Sequence, residues 1–284
     1  MKKIISAVLM LILIVSCFGP MGSSVDADYG NPFLSARTGD IVTFGSYEQD
    51  NNPYNGKEPI EWVVVEIYSD CIKLVSRYAL ERLQYQADLW ETGWENSYAR
   101  KWLNDSFYYA AFSSEEQQMI DLARVPNRGN DEYDVESRSD TFDKIFLLDY
   151  KEICTYFGKE TGYRRLCYPT QHAIAAGAYV NDYSGYTWWW LRTPGKDLTY
   201  AAYVGSGGNL DYEGNPVNWA NGCIRPALLV STTRSMSSSS SQASSSEALY
   251  CPYCGKRIAT GSNFCMYCGQ RISSASPSNS YGTW

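Results

Sequence analysis

Histidine is almost missing from this chain: one of its 284 residues, His172, is a histidine. Any Ser-His-Asp or Cys-His mechanism must use it, and so must any metal site built on histidine. Positive charge is also short. The formal net charge is -7 and the isoelectric point about 4.9, which argues against bulk electrostatic binding of nucleic acid. Long apolar runs are scarce. Residues 4–15 form a short one behind the basic start Met1-Lys2-Lys3, too short and wrongly flanked for a spanning helix but suited to a signal peptide. EF-hand spacing is lacking around Asp131, Glu132, Asp134, Glu136, Asp140 and Asp143, so those acids read as a solvated loop rather than a calcium site. Strands and helices do not follow βαβ order, which leaves α+β as the fold class.

What is plentiful is aromatic: 24 Tyr and 9 Trp, enough to favour a rigid β-containing domain suited to carbohydrate or protein recognition. The chain is organised around residues 187–226. Alternation along a strand puts Trp188 and Trp190 on one face and Trp189 on the other, so this strand needs both faces covered. Thr193-Pro194-Gly195 then turns the chain. Residues 197–221 hold Gly, Asn, Asp, Tyr and Trp but few aliphatics. That composition predicts a surface loop that binds, since Tyr and Trp offer wide contact area at low entropy cost. The candidate ligand-binding residues are Tyr200, Tyr203, Asn209, Asp211, Tyr212, Asn218 and Trp219. The competing reading is that Tyr203, Tyr212 and Trp219 pack against the tryptophans, with Tyr203, beside Ala201, Ala202 and Val204, the foremost case.

In chain order, Ser16-Cys17 behind the apolar run resembles a lipobox, with Ile14 where leucine is usual. Cys17 is therefore the expected lipidation site, residues 1–17 the signal and 18–35 a tether. The expected location is extracytoplasmic, membrane-anchored or secreted. Strands are predicted at 39–45 and 60–66, the latter forming a hairpin with 71–76, and also at 144–148 and 227–231. A helix is predicted over 98–103. Ser113 with Glu116 caps a second over 114–122, and Asp149 with Glu152 caps a third ending at Phe157. Thr170 opens a small helix carrying His172, for which spacing shows no catalytic partner. Arg192 and Arg225 are expected to anchor the fold by pairing with carboxylates or carbonyls. Cys154 with Cys167, and Cys71 with Cys223, can form disulfides, but spacing does not give the connectivity.

Six motifs in fixed order carry a resemblance: Gly39-Asp40-Ile41-Val42-Thr43-Phe44-Gly45, Ile60-Glu61-Trp62-Val63-Val64, Asn96-Ser97-Tyr98-Ala99-Arg100-Lys101-Trp102-Leu103-Asn104, Lys144-Ile145-Phe146-Leu147-Leu148, Trp189-Trp190-Leu191-Arg192-Thr193-Pro194-Gly195 and Ile224-Arg225-Pro226-Ala227. Residues 36–231 thereby resemble an exported bacterial domain of unknown function with a C-type-lectin-like fold. That family is similar to the formylglycine-generating-enzyme superfamily and to the variable proteins of diversity-generating retroelements. The resemblance implies a lectin-like binding scaffold. The paired active-site cysteines of the formylglycine-generating enzymes cannot be placed on Cys71, Cys154, Cys167 or Cys223, so no catalysis is carried over. Asn218-Trp219-Ala220-Asn221 only weakly echoes the calcium motifs of sugar-binding lectins.

Residues 232–249 are a Ser-rich linker, spanning roughly 20–25 Å if flexible. Beyond it, Cys251-Pro252-Tyr253-Cys254-Gly255 and Cys265-Met266-Tyr267-Cys268-Gly269 are two zinc knuckles. Four thiolates make a closed tetrahedral site, so zinc bound by Cys251, Cys254, Cys265 and Cys268 is structural. The alternative is two disulfides in an oxidising compartment. The ribbon spans 250–272, followed by a disordered tail at 273–284. The function expected is an exported, lipid-anchored module that binds a protein or glycan ligand, with no nucleic-acid partner. The alternatives are an enzyme of the formylglycine-generating type acting on envelope or protein substrates, and a structural spacer at the envelope.

Overall fold

The computed structural model describes residues 31, 33–159 and 162–234, with the backbone of two short strands near residue 250. The expected signal, lipidated Cys17, most of the tether, most of the Ser-rich linker, the four ribbon cysteines and the 273–284 tail lie outside the described residues. In chain order the elements are β1 (Ile41–Tyr47), β2 (Glu58–Ile67), β3 (Cys71–Ser76), β4 (Glu81–Arg82), α1 (Tyr98–Trp102), α2 (Tyr108–Ala111), α3 (Ser114–Met119), β5 (Ala123–Val125), β6 (Thr141–Asp143), β7 (Ile145–Phe146), α4 (Tyr150–Phe157), α5 (Gln171–Ala175), β8 (Trp189–Pro194), β9 (Tyr200–Val204), β10 (Leu210–Pro216), β11 (Cys223–Ile224), β12 (Ala227–Ser231), β13 (Leu249–Tyr250) and β14 (Arg257–Ile258). Helices and sheets are mixed as expected of α+β.

Two five-stranded sheets carry the domain, in the orders β1-β2-β3-β12-β7 and β10-β9-β8-β11-β4. The chain passes between them four times, and the two shortest crossings run from β3 to β4 and from β11 to β12. These two run side by side: Ser76 N donates to Pro226 O at 2.9 Å and Leu80 N to Ile224 O at 3.0 Å. Arg225 sits on this seam, its Nε donating to Ser76 O at 2.9 Å while its guanidinium lies over the Trp189 and Phe157 rings. It anchors the fold as expected, through a carbonyl and two ring faces.

The tryptophan strand β8 is the middle strand of its sheet and is buried throughout. Trp188 and Trp190 meet edge to face at 4.7 Å. Gly222 lies against both, and a Cβ there would come within 2.5 Å of each ring, so only glycine fits. Trp189 faces the other way, with its Nε1 donating to Arg165 O at 3.2 Å. Burying one such indole removes about 150–250 Å² from water, on the order of 4–6 kcal/mol before entropy.

Both capping boxes form: Ser113 with Glu116, and Asp149 with Glu152. The α3 helix ends at Met119 rather than Leu122, because Ile120 turns extended and bridges Val230 of the first sheet. The helix expected to stop at Leu103 instead continues through a π-helical turn, Leu103–Phe107, into α2. Asn104 explains the turn. Its buried amide donates to Arg100 O at 3.0 Å and Ile145 O at 2.7 Å, and it accepts from Lys144 N and Ile145 N. The extra residue in the turn aims that side chain at β7.

Residues 197–221, expected as a surface loop, contain the hairpin of β9 and β10 instead. The glycines that suggested irregular chain are its turn and its bulge. Gly205, Gly207 and Gly208 make the turn. Gly214, at φ +85° with Ala201 O 2.6 Å from where a Cβ would stand, makes the bulge. Cys71, Cys154, Cys167 and Cys223 are all free thiols, so neither suggested disulfide is present. Cys71 stands in one sheet and Cys223 in the other, while Cys154 is on α4 and the Cys167 thiol is directed at Arg77 O and Tyr168 O.

Candidate functional site

Local alternation splits the seven candidate residues. In the register, Asp211 lies opposite Tyr203 and Asn215 opposite Ala201. The Tyr203 ring packs edge to face on Trp188 at 5.2 Å and its hydroxyl donates to Asp211 Oδ2 at 3.0 Å. Burial, then the Asp211 charge, pushes the Tyr203 phenol up to about 12. Tyr203 is thus a packing residue, as the competing reading had it. Tyr212, the next residue along β10, turns to the other face and meets the Tyr150 ring of α4 at 5.5 Å. Burial, then the Cys154 thiol beside it, raises its phenol. Tyr200 is half-buried under Lys196 Nζ, 4.2 Å from its ring centre. Asn209 is exposed at the hairpin turn. Asn218 and Trp219 lie past the end of β10, where Asn218 O accepts from Gln84 Nε2 at 2.6 Å and Trp219 is 47% exposed. The structure therefore gathers Asp211 and Tyr212, turns Tyr203 inward and leaves Trp219 apart.

Two concavities adjoin Tyr212. One, of about 410 Å³, is lined by Asp211, Tyr212 and Glu213 of β10 together with Leu210, Glu132 and Tyr133. The other, of about 620 Å³, is lined by Tyr150, Lys151, Cys154, Thr155 and Lys159 on and after α4, and again by Tyr212. Asn130 fixes their relative position. It is fully buried, and its amide nitrogen lies 3.0 Å from Pro194 O, 3.0 Å from Gly195 O and 2.8 Å from Tyr212 O. It so ties the 130–135 turn to the end of β8 and to β10. The acidic stretch is this turn. Asp131 accepts from the Tyr150 hydroxyl, Asp140 pairs with Arg124, and buried Asp143 accepts from Trp94 and Arg100. Asp131, Asp140 and Asp143 are thus engaged with protein groups, while Glu132, Asp134 and Glu136 are exposed.

Beneath α4, Arg192 explains why the helix sits where it does. Its guanidinium, almost wholly buried, donates to Asp149 Oδ2 at 2.9 Å, to Glu152, and to the carbonyls of Leu147 and Pro126. Both capping acids of α4 are thereby ion-paired to β8. Burial opposes ionisation of Glu152, but the Arg192 and Lys73 charges outweigh it and hold the carboxyl down to about 2.

His172 does have a partner. Its Nε2 lies 3.1 Å from Glu81 Oε2, which also accepts from the Tyr47 hydroxyl at 2.7 Å. The 91 residues between His172 and Glu81 hid this contact from spacing arguments. None of the three lines the concavities beside Tyr212. Composition also missed Tyr150, Tyr133, Lys151 and Lys159, because its aromatic signal pointed only to the late segment.

The family model described as a domain of unknown function (DUF6273) matches residues 69–232, and a zinc-ribbon model matches 247–272. Comparison with curated proteins and with solved structures gave no match. The first match runs from the turn before β3 to just past β12, so it holds all of the second sheet and α4. It leaves out β1 and β2, which nonetheless continue the first sheet beyond β3. With more than half its length covered, the chain belongs to the DUF6273 family and carries a zinc-ribbon domain behind that region.

Proposed function

We propose that this protein is an exported binding module with a C-type-lectin-like main domain, tethered by lipid on Cys17, that recognises a protein or glycan ligand through the β10–α4 face. The relation to the formylglycine-generating superfamily and the retroelement variable proteins belongs to the same reading. The observation that carries it is the Tyr150–Tyr212 pair, standing between two concavities at the edge of the second sheet. Half-exposed tyrosines beside carboxylates and amines suit sugar or protein surfaces. No helix among the described residues is long and apolar enough to cross a membrane. A screen against glycans and surface proteins tests the proposal. Ligand captured by the native protein should be lost with Tyr212→Ala, and capture that survives this change would move the site elsewhere.

The zinc ribbon is the second part of the proposal. Two C-x-x-C-G knuckles supply four thiolates, a donor set that fits one closed tetrahedral zinc with a structural role. Cys251, Cys254, Cys265 and Cys268 would hold it. Metal analysis of exported, non-reduced protein should give about one zinc per chain. Two disulfides and no metal would contradict it.

An enzyme is the second reading, and the His172–Glu81 contact favours it. A carboxylate that orients an imidazole is one half of a general-base arrangement. Loss of a hydrolytic or oxidative activity in His172→Gln, with ligand capture intact, would establish it.

A further inference from the structure

A cavity of about 670 Å³ lies on the far side of α4 from Tyr212, between that helix, the outer face of β3 and β12, and residues 123–128. Its size is that of a small-molecule site. Five cationic side chains line it, Lys73, Arg124, Arg128, Lys151 and Arg192, against three carboxylates. Asp131, Asp140 and Asp149 pair with four of these cations from beside the lining, so the cavity wall concentrates cationic donors without a net positive charge. Lys151 and Thr155 line this cavity and also the concavity of Tyr150 and Tyr212. Tyr212 in turn lines the concavity of Asp211 and Glu213. The three hollows therefore form one track, with a cationic end and an acidic end, passing over the exposed ridge of α4.

The floor of the cationic end is already satisfied. Lys73 Nζ donates to Glu152 Oε1 at 3.0 Å and to the Tyr156 hydroxyl at 2.7 Å, with Glu66 at 3.5 Å. The rim is different. Arg128 makes one hydrogen bond among the described residues, from Nη1 to Asp149, whose carboxylate Arg192 also holds. Its Nε and second amino group remain for an incoming acceptor. Lys151 and Arg124 pair with Asp131 and Asp140, but both cations are more than half exposed, and such pairs contribute little. A ligand carboxylate or phosphate can take these donors in their place, the guanidinium fork suiting either.

We propose that this cavity holds the anionic group, carboxylate or phosphate, of an acidic saccharide chain that continues over Lys151 and Thr155 onto Tyr150 and Tyr212. The inference rests on the β10–α4 face being the binding surface. A sugar chain fits the track better than an extended peptide. The β10 edge is broken by its bulge, with Gly214 in left-handed backbone, and ends in Pro216, which spoils it as a template for strand addition. Tyr212 O and Glu213 O are already taken by Asn130 and by Lys196 N. Tyrosine rings and polar groups, rather than side-chain-sized apolar pockets, line the middle of the track.

The test is titration of the full chain with an oligogalacturonate hexamer, a phosphorylated oligomannoside, neutral maltohexaose and a poly-glutamate peptide. One or both acidic saccharides should bind more tightly than maltohexaose, with affinity falling as salt rises, and the stronger of the two identifies carboxylate or phosphate as the group held. Lys151→Glu, on an exposed position, should weaken the acidic saccharide by about tenfold or more. Arg128→Gln should do the same, with both variants melting as the native protein does. Tyr212→Ala should weaken acidic and neutral saccharides alike. Equal binding of acidic and neutral chains, or indifference to Lys151→Glu, overturns the inference and leaves the β10–α4 reading standing. Sensitivity to Lys151→Glu with indifference to Tyr212→Ala overturns the reading of the face while the anion cavity survives. Tighter binding of the peptide than of any saccharide, or binding of no saccharide, overturns the ligand class.

Discussion

Strands β8 and β10 lie two places apart in one sheet, are both rich in large or polar side chains, and meet opposite fates. Every residue of β8 is buried, while β10 has no buried residue and one that is exposed. Position explains the contrast. The middle strand has neighbours on both sides and layers on both faces, so its tryptophans find Gly222, Arg225 and the Arg165 carbonyl. The edge strand has one neighbour, a bulge and α4 alongside. Aromatic content is therefore no guide to role by itself. Three indoles hold the domain together, and a phenol a short way along the sheet is left at its surface.

The contrast can be broken from the β8 side with the largest effects. Arg192→Met leaves the carboxylates of Asp149 and Glu152 buried without their main partner. Breaking a buried pair from one side costs about 3–5 kcal/mol, so this variant should unfold at markedly lower denaturant or fail to accumulate folded. Trp189→Ala should cost a similar amount, about 3–5 kcal/mol. Native-like melting of either would show that β8 is not the strand the core depends on.

A smaller effect follows from acid. The Arg192 and Lys73 charges hold Glu152 down to about 2 in the fold, against an ordinary 4.5. The lowered value means the ionised form favours the fold. Its contribution is present above about pH 4.5 and is lost as pH falls toward 2. Urea midpoints measured down this range should fall, and Glu152→Gln should flatten that part of the profile while lowering stability near neutrality. A profile of unchanged slope in the variant would remove Glu152 from the account. Smaller still is Tyr203→Phe, which deletes the bond to Asp211 but keeps the ring on Trp188. It should cost about 1 kcal/mol, read from the melting temperature, with no loss of ligand.

Much of the fold was legible because its signals are local. Ser113 with Glu116 and Asp149 with Glu152 sit at capping-box spacing, and both boxes form. The strands over 71–76 and 227–231 stand as expected, and period-two alternation placed the three indoles on their correct faces. The hairpin was missed because glycine marks loops and equally marks hairpin turns and bulges. Only the pairing of Tyr203 with Asp211 distinguishes them. The helix from Tyr98 runs past Leu103 because Asn104 finds its partner on β7, 41 residues away, a contact that no local signal marks. The cationic cavity had no local signal at all. Its walls come from β3, residues 123–128, α4 and β8, and no spacing rule links Lys73 to Arg128 or Lys151. Tyr212 was among the residues expected, but Tyr150, whose ring meets it, belongs to a helix start that sequence reads only as a cap.

The central claim is that the outer strand of this sheet binds while the middle one holds the core. It is tested most directly by melting Tyr212→Ala beside Trp189→Ala and measuring ligand capture by the first. Tyr212→Ala should melt close to the native protein and lose about 2 kcal/mol or more of binding free energy. A Tyr212→Ala protein that melts as early as Trp189→Ala would contradict it, because the residue would then be core.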